Sequence, residues 1–139
     1  MPRTKKEEKP KYISVVGSRR EAQAKVRLYA GKGETTVNGI PIEKYFPQKG
    51  AEKLFFKPFE ITNTMGKYFA TIKCEGGGKV GQIAAVIHGL SRALSLADKE
   101  KFRPVLKKAK LLTRDSRTRQ RRNIGMGGKS RRKKQSPKR

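Results

Sequence analysis

Apolar and polar residues alternate with a period of two in several short stretches, a pattern typical of half-buried β-strands. The clearest stretch is residues 67–74, whose apolar face consists of Tyr68, Ala70, Ile72 and Cys74. Residues 12–16 and 24–29 are also rich in strand-forming residues, and residues 34–37 are a shorter candidate that runs into Asn38-Gly39. That dipeptide favours a tight hairpin or the end of a strand. Together, the four stretches predict a small β-sheet.

Farther along the chain, apolar residues recur every three or four positions, which predicts α-helix. Residues 80–97 have the longest such stripe, and we expect it to be the central packing element; it consists of Val80, Ile83, Ala84, Ile87, Leu90, Leu94 and Ala97. Residues 98–108 repeat the pattern in a second helix, for which Asp98 is a suitable N-cap. The apolar side of that helix consists of Phe102, Val105, Leu106 and Ala109. The globular part is predicted to end near Leu112.

Two shorter helices are predicted between the hairpin and the clearest strand. The first begins at Pro41, because the fixed φ of proline suits the first turn of a helix. Its inward side chains are predicted to be Ile42, Tyr45 and Phe46. The second helix spans residues 51–56 and is limited by Pro58, and we expect Leu54 and Phe55 to be core residues.

The charge of the C-terminal segment changes this picture. Residues 113–139 hold twelve Lys and Arg against one acid, Asp115, and their apolar side chains are only Ile124 and Met126. Burial is worth about 25 cal/mol per Å² of apolar surface, which cannot offset an ordering cost of about 1–2 kcal/mol per residue. We therefore predict an arm that is disordered alone and folds against a polyanion, where each neutralised phosphate releases counterions.

The rest of the chain is basic as well. The whole sequence has 36 Lys and Arg and 11 Asp and Glu, so removing the tail's twelve cations and one acid leaves a charge of +14 in residues 1–112. A net charge of +25 predicts a nucleic-acid partner rather than a membrane, and no apolar run approaches the roughly 20 residues that span a bilayer. The single Cys74 predicts a reduced compartment, and the single His88 is predicted to lie on a helix surface. Neither has partners at zinc-ligand spacing, so no metal site and no cofactor is expected.

The glycine-rich segment at residues 76–81 satisfies G-x-G-x-x-G between a strand and a helix. A dinucleotide site would also need a second parallel strand after that helix, but another helix follows. A P-loop would need Ser or Thr after Lys79, where the chain has Val80. Two interpretations stay open for this turn: a phosphate of RNA bound by amides at the helix N-terminus, or a tight strand-to-helix connection.

No arrangement of residues in the sequence is typical of an enzyme. We find no serine, histidine and acid set, no paired carboxylates and no small-molecule site, so a nucleotide-dependent enzyme is disfavoured. The alternative binding protein is a nucleoid or histone-like DNA protein with a basic arm. That class would be expected to show a dimerising helix pair or an element that reads a DNA groove, and the sequence shows neither.

Six segments, taken in order, resemble the universal small-subunit ribosomal protein family numbered nine, of bacterial type. They are GSRREAQAKV at residues 17–26, VNG at 37–39 with EKYF at 43–46, GGGKVGQ at 76–82, HGLSRAL at 88–94, LTRDSR at 112–117 and the closing Lys138-Arg139. Each segment alone is a weak signal. Together they cover the chain from about residue 12 to its end, in the right order and spacing.

The resemblance implies a fold and a role. The fold class is α+β: a small, mainly antiparallel four-stranded sheet packed with helices, with a left-handed βαβ crossover, plus a long disordered basic C-terminal tail. The role implied is that of a structural protein of the ribosome in the cytoplasm, which binds small-subunit rRNA in the head beside neighbouring head proteins. The tail would thread through rRNA toward the peptidyl-site tRNA. The domains are then a flexible N-terminal extension at residues 1–11, a globular rRNA-binding domain at 12–112 and the tail at 113–139.

The same resemblance implies individual contacts. In the globular domain, the rRNA-binding residues would be Arg19, Arg20, Lys25, Arg27, Gly76, Gly77, Gly78, Lys79, Gln82, His88 and Arg92. In the tail, they would be Arg114, Arg117, Arg119, Arg121, Arg122, Lys129, Arg131, Arg132, Lys133 and Lys134. The last two residues, Lys138 and Arg139, would contact the tRNA.

Overall fold

The computed structural model describes residues 11–125 and 127. These residues form an α+β fold of five strands and five helices. The strands are β1 (Tyr12–Arg19), β2 (Ala22–Ala30), β3 (Thr36–Val37), β4 (Ile40–Pro41) and β5 (Tyr68–Glu75). The helices are α1 (Ile42–Tyr45), α2 (Ala51–Phe55), α3 (Lys57–Ile61), α4 (Lys79–Ala97) and α5 (Lys99–Lys108).

The strands make one mixed sheet in the order β1-β2-β5-β3-β4, in which only the β3–β5 pair is parallel. The prediction of four strands was therefore wrong by one short strand. Asn38 and Gly39 adopt φ values of 52° and 80°, which lets the chain reverse tightly and pair Ile40 with Val37. The chain between the parallel strands β3 and β5 contains β4 and three helices, and the left-handed crossover stays a prediction of the resemblance.

Helix α4 covers one face of the sheet, and this is the face that carries the alternating apolar residues of the strands. Buried residues occur at every second position of β2 and β5, namely Ala22, Ala24, Val26, Leu28, Ala70, Ile72 and Cys74. Helix α4 approaches β1 so closely at Gly17 that a side chain there would overlap the Ala85 carbonyl and the Gly89 backbone nitrogen. Two glycines therefore set the distance between the helix and the edge strand of the sheet.

Contrary to the expectation that no apolar run is long enough, α4 would by length and composition alone be able to cross a membrane. More than half of its apolar window is buried inside the protein, where Leu90 and Leu94 have no exposed surface. Its stripe is shorter than predicted, because Val80 lies in the first turn, outside the packed face, and is 82% exposed. The helix is the central packing element that the sequence predicted.

The shorter helices correct three further expectations. In α2, Ala51 and Phe55 lie one turn apart and are buried, whereas Leu54 falls on the outer side and is 51% exposed. Pro58 does not end the helical region but lies in the first turn of α3, a helix that was not predicted. In α5, the side chain of Asp98 caps the helix as predicted by accepting from the Lys101 backbone nitrogen at 3.2 Å, but Val105 is exposed.

Candidate nucleic-acid interface

The start of the tail lies against the C-terminal end of β1. Arg114 Nε donates to Ser18 Oγ at 2.7 Å, and Arg19 Nη1 donates to the Arg117 carbonyl at 2.7 Å. Residues 113–123 form neither helix nor strand, so these contacts are made by an extended segment. The prediction of an arm without order of its own therefore does not hold where residues 114–117 are hydrogen bonded to the body.

Asp115, the one acid of the tail, lies between two arginines. Arg117 donates to it in a bidentate manner, with Nε 3.0 Å from Oδ1 and Nη2 2.8 Å from Oδ2. Arg19 Nη1 approaches the same carboxylate at 3.4 Å. The hydrogen bonds from Arg117, assisted by the charge of Arg19, hold the pKa of Asp115 well below its usual range. The carboxylate thus orients two guanidinium groups for which the family resemblance implies RNA contact.

His88 completes the attachment from α4. The Ser18 backbone nitrogen donates to Nδ1 at 3.4 Å, and Nε2 lies 3.3 Å from the Leu112 carbonyl. Since a backbone N–H can only donate, the proton of the neutral ring belongs on Nε2, which donates to Leu112. Burial lowers the pKa of His88, and the nearby charges of Arg92 and Arg114 lower it further. His88 is therefore a half-buried structural link, not the helix-surface residue that was predicted.

We call these contacts the tail clasp, which consists of Ser18, Arg19, His88, Leu112, Arg114, Asp115 and Arg117. Beside it, Arg92 donates to the Val16 carbonyl and so occupies another polar group of the β1 edge. The first two strands are longer than the predicted stretches 12–16 and 24–29, so that only Arg20 and Glu21 separate them and Arg19 belongs to β1. The side chain of Arg19 is only 16% exposed.

A cleft with only cationic and hydroxyl side chains lies where the tail passes the β1–β2 turn. Its volume is about 590 Å³, and we call it the arginine cleft; it is lined by Arg19, Arg20, Arg117, Thr118 and Arg119. Four guanidinium groups around one opening, without a carboxylate in the lining, favour an anion with several acceptor oxygens. Arg20 and Arg119 are exposed and leave their donors available to such a partner.

The glycine-rich turn packs against the β1–β2 turn. Gly76 and Gly77 have φ values of 77° and 60°, and a side chain at Gly76 would overlap the Glu21 carbonyl. Gln82 is 8% exposed and uses both ends of its amide within the protein: Nε2 donates to the Gly76 carbonyl at 3.0 Å, and Oε1 accepts from Tyr45 Oη at 3.0 Å. These contacts favour the tight-connection interpretation for Gly76, Gly77 and Gln82.

The other half of the turn keeps features of an anion site. Gly78 is the N-cap of α4 and has no side chain to accept from the amides of the first turn. Lys79 is exposed, and its ammonium lies 3.4 Å from the centre of the Tyr45 ring. Both the helix dipole and this ammonium favour a negative charge next to Gly78.

The face of the sheet opposite α4 is the second basic surface, and the sequence identified only part of it. We call it the sheet groove, an opening of about 520 Å³ whose cations are Lys25, Arg27 and Lys73 and whose lining contains no acid. The register places Lys25 directly opposite Lys73, and Arg27 opposite Thr71. Like charges facing each other cost stability, so the pair is better explained by an anionic partner than by folding. Lys73 could have been found by continuing the alternation of residues 67–74.

The remaining predicted contact residues divide into two groups. Arg121 and Arg122 are exposed on the described part of the tail. The others lie outside the described residues, namely Lys129, Arg131, Arg132, Lys133, Lys134, Lys138 and Arg139. Within residues 11–125 and 127, no three His, Cys, Asp or Glu side chains come close enough together to hold a metal ion. Cys74 is buried in β5, and burial raises the pKa of its thiol.

Comparison with known proteins agrees with the resemblance in sequence. A family model described as "Ribosomal protein S9/S16" matches residues 17–139. A protein of Maridesulfovibrio salexigens named small ribosomal subunit protein uS9 is 46% identical over 112 residues, which are 81% of this chain and 85% of that protein. Proteins of the same name are 44% identical in Dehalococcoides mccartyi, over 86% of this chain and 89% of theirs, and 42% identical in Leifsonia xyli, over 81% and 67%. The matched residues include the β1–β2 turn, the glycine-rich turn and the whole tail, and the chain therefore belongs to the ribosomal protein S9/S16 family.

Proposed function

We propose that this protein is a structural constituent of the small ribosomal subunit that binds rRNA through its arginine cleft and sheet groove and directs its tail toward the peptidyl-site tRNA. The observation that carries the proposal is the arginine cleft, in which body and tail contribute guanidinium groups to one opening. Such a cleft suits the phosphates of a folded RNA, since a guanidinium can donate in a bidentate manner to phosphate oxygens and Arg20 and Arg119 are exposed for such contacts. The chain is a ribosomal protein and is not an enzyme.

The sheet groove supports a second contact with the same partner. Arg27 lies over the Tyr12 ring at 5.2 Å, which restricts its guanidinium beside Lys25 on the same strand. Hydroxyl groups of Ser14, Thr36 and Thr71 lie between the cations in the same lining. Hydroxyls and cations together suit a sugar-phosphate backbone better than a base edge, so we expect this face to position RNA without reading its sequence.

The tail is proposed to continue from the clasp through rRNA. Arg119, Arg121 and Arg122 are exposed beyond the clasp, as backbone contacts would require. The later cations of residues 129–134 would follow the same route, and Lys138 and Arg139 would reach the phosphates of the tRNA. The neighbouring partners are then head proteins of the small subunit, and the location is the ribosome in the cytoplasm.

A salt titration tests the arginine cleft. Each phosphate contact on single-stranded RNA contributes about −0.7 to the slope of log K against log salt. Replacing Arg20 and Arg119 by Ala should therefore flatten the slope by about 1.4, and deleting residues 113–139 should flatten it further. The control replaces two exposed cations outside the cleft, Lys53 and Lys107. If the control flattens the slope equally, net charge alone explains binding and the cleft has no special role.

A truncation tests the end of the tail. Removing Lys138 and Arg139 should leave the assembly of small subunits intact and weaken retention of tRNA in the peptidyl site. Unchanged tRNA retention in those subunits would contradict the tRNA contact while leaving rRNA binding in place.

A sucrose gradient of a lysate tests the DNA-binding alternative. Sedimentation of the chain with small subunits would exclude that alternative, and sedimentation with chromosomal DNA would favour it.

A further inference from the structure

A groove of opposite character lies at the other end of the sheet from the arginine cleft. We call it the acidic groove, an opening of about 390 Å³ whose lining includes Glu34, Glu43, Phe56, Phe59, Met65 and Tyr68 and contains no Lys or Arg. Arg19 pairs with Ala22 at one end of β2, whereas Tyr68 pairs with Ala30 at the other. At about 3.3 Å per residue, the two openings are roughly 26 Å apart along the strand.

The floor of the acidic groove is apolar. Phe59 and Ile42 are buried beneath it, each 3% exposed, while Phe56 and Tyr68 are partly exposed. Met65 is 54% exposed at the edge, although a large apolar side chain gains by being covered. Methionine adapts its shape to a partner more readily than branched side chains do, so this edge suits an inserted side chain.

The charge at the groove is unusual for this chain. Both Glu34 and Glu43 are exposed, and within the described residues neither forms an ion pair. In a chain of net charge +25, a lining with two carboxylates and no cation is a local reversal of sign. Carboxylates accept hydrogen bonds from Lys or Arg and have none to donate to a phosphate, so this lining favours a basic protein segment over an RNA backbone.

We propose that the acidic groove holds a segment of a neighbouring small-subunit protein, in which an apolar side chain enters the groove and an adjacent Lys or Arg pairs with Glu34 or Glu43. The inference rests on the proposed place of the chain in the small subunit and adds to it a specific surface and partner chemistry. Protein contacts commonly combine a central apolar anchor with polar and charged residues at the rim.

Site-directed cross-linking in purified small subunits tests the proposal. A Met65→Cys chain labelled with a cysteine-directed photo-cross-linker is incorporated into subunits, irradiated and analysed by mass spectrometry. The control is Leu54→Cys, a similarly exposed apolar position outside the groove. We expect Met65→Cys, and not Leu54→Cys, to capture a peptide of another small-subunit protein with an apolar residue next to Lys or Arg. Capture of rRNA alone, of this chain's own tail, or of nothing would overturn the proposal.

A charge test gives an independent result. Replacing Glu34 and Glu43 by Gln in the Met65→Cys chain should lower the yield of that cross-link about three-fold, as expected from losing one exposed ion pair. The matched control replaces Glu52 and Glu100, which are exposed acids outside the groove. An equal loss in both variants would overturn the assigned role of the groove carboxylates. Sedimentation of the unmodified chain with small subunits tests the proposed function separately, and it can succeed while the cross-link fails.

Discussion

Replacing Gly17 by Ala should disrupt the contact on which both the core and the tail clasp depend. The added methyl group would overlap the Ala85 carbonyl and the Gly89 backbone nitrogen, both of which are backbone atoms in the middle of α4. Because backbone cannot turn aside as a side chain can, the helix must move away from β1. The next two residues of β1, Ser18 and Arg19, belong to the clasp, so the movement reaches the start of the tail.

The size of the effect follows from the cost of overpacking. Inserting a methyl group into a close-packed contact typically costs about 1–3 kcal/mol, and the overlap at Gly17 places this substitution at the upper end. For a domain of this size, such a loss lowers the melting temperature by roughly 5–15 °C. The matched control is Gly78→Ala, because a methyl group there meets no atom within 4 Å and the φ of −97° suits any residue.

Urea unfolding of the full chain, followed by far-ultraviolet circular dichroism, measures the difference. We expect Gly17→Ala to lower the free energy of unfolding by more than about 2 kcal/mol, whereas Gly78→Ala should cost at most about 1 kcal/mol, the difference between Gly and Ala at an N-cap. Equal stabilities for the two variants would mean that α4 does not rest on the β1 backbone.

Three further outcomes are expected. The pKa of His88 in the folded protein lies below its ordinary 6.5, so unfolding below about pH 6.5 takes up a proton and the free energy of unfolding should fall as the pH falls. Urea midpoints of His88→Asn should lack this pH dependence. Asp115→Asn should weaken the hydrogen bond from the Arg117 backbone nitrogen, so amide exchange at Arg117 should become faster while the urea midpoint stays the same. An exchange rate equal to that of the wild type would contradict the clasp. Lys73→Ala should raise the free energy of unfolding slightly, because it removes the charge repulsion with Lys25, and it should weaken RNA binding. A lower free energy of unfolding would contradict the proposed repulsion.

The parts of the fold that sequence could predict are those set by local periodicity. The alternation over residues 67–74 predicted the buried face of β5. The stripe over residues 80–97 correctly placed Ile83, Leu90 and Leu94 in the core, but it missed the fully buried Ala85, Val86 and Ala93. The errors occur where a pattern is too short to define a face. Helix α2 has only five residues, so nothing in its sequence distinguished Leu54 from Phe55. Strand β4 has two residues and exists only through its pairing with β3.

The candidate site was predictable as a list of cations but not as an arrangement. Ser18 and Arg114 are 96 residues apart in sequence, and Arg19 and Arg117 are 98 apart. No local period connects positions so distant, so their contacts depend on the way α4 and α5 return the chain to β1. Gln82 shows the same limit, because its role as a buried link between Gly76 and Tyr45 depends on three separate segments.

The tail clasp lowers the entropy cost of the proposed binding of the arm to RNA. For an arm that is free up to its first residue, every residue ordered on RNA would cost about 1–2 kcal/mol of conformational entropy. Residues 114–117 have already lost part of this entropy in the folded protein, because hydrogen bonds to Ser18 and Arg19 hold them in place. Of the two arginines in this segment, Arg117 lines the arginine cleft without RNA, and a preorganised group loses less entropy on binding than a mobile one. Asp115 is central to this arrangement because a carboxylate orients Arg117 as a phosphate would, at the same bidentate geometry.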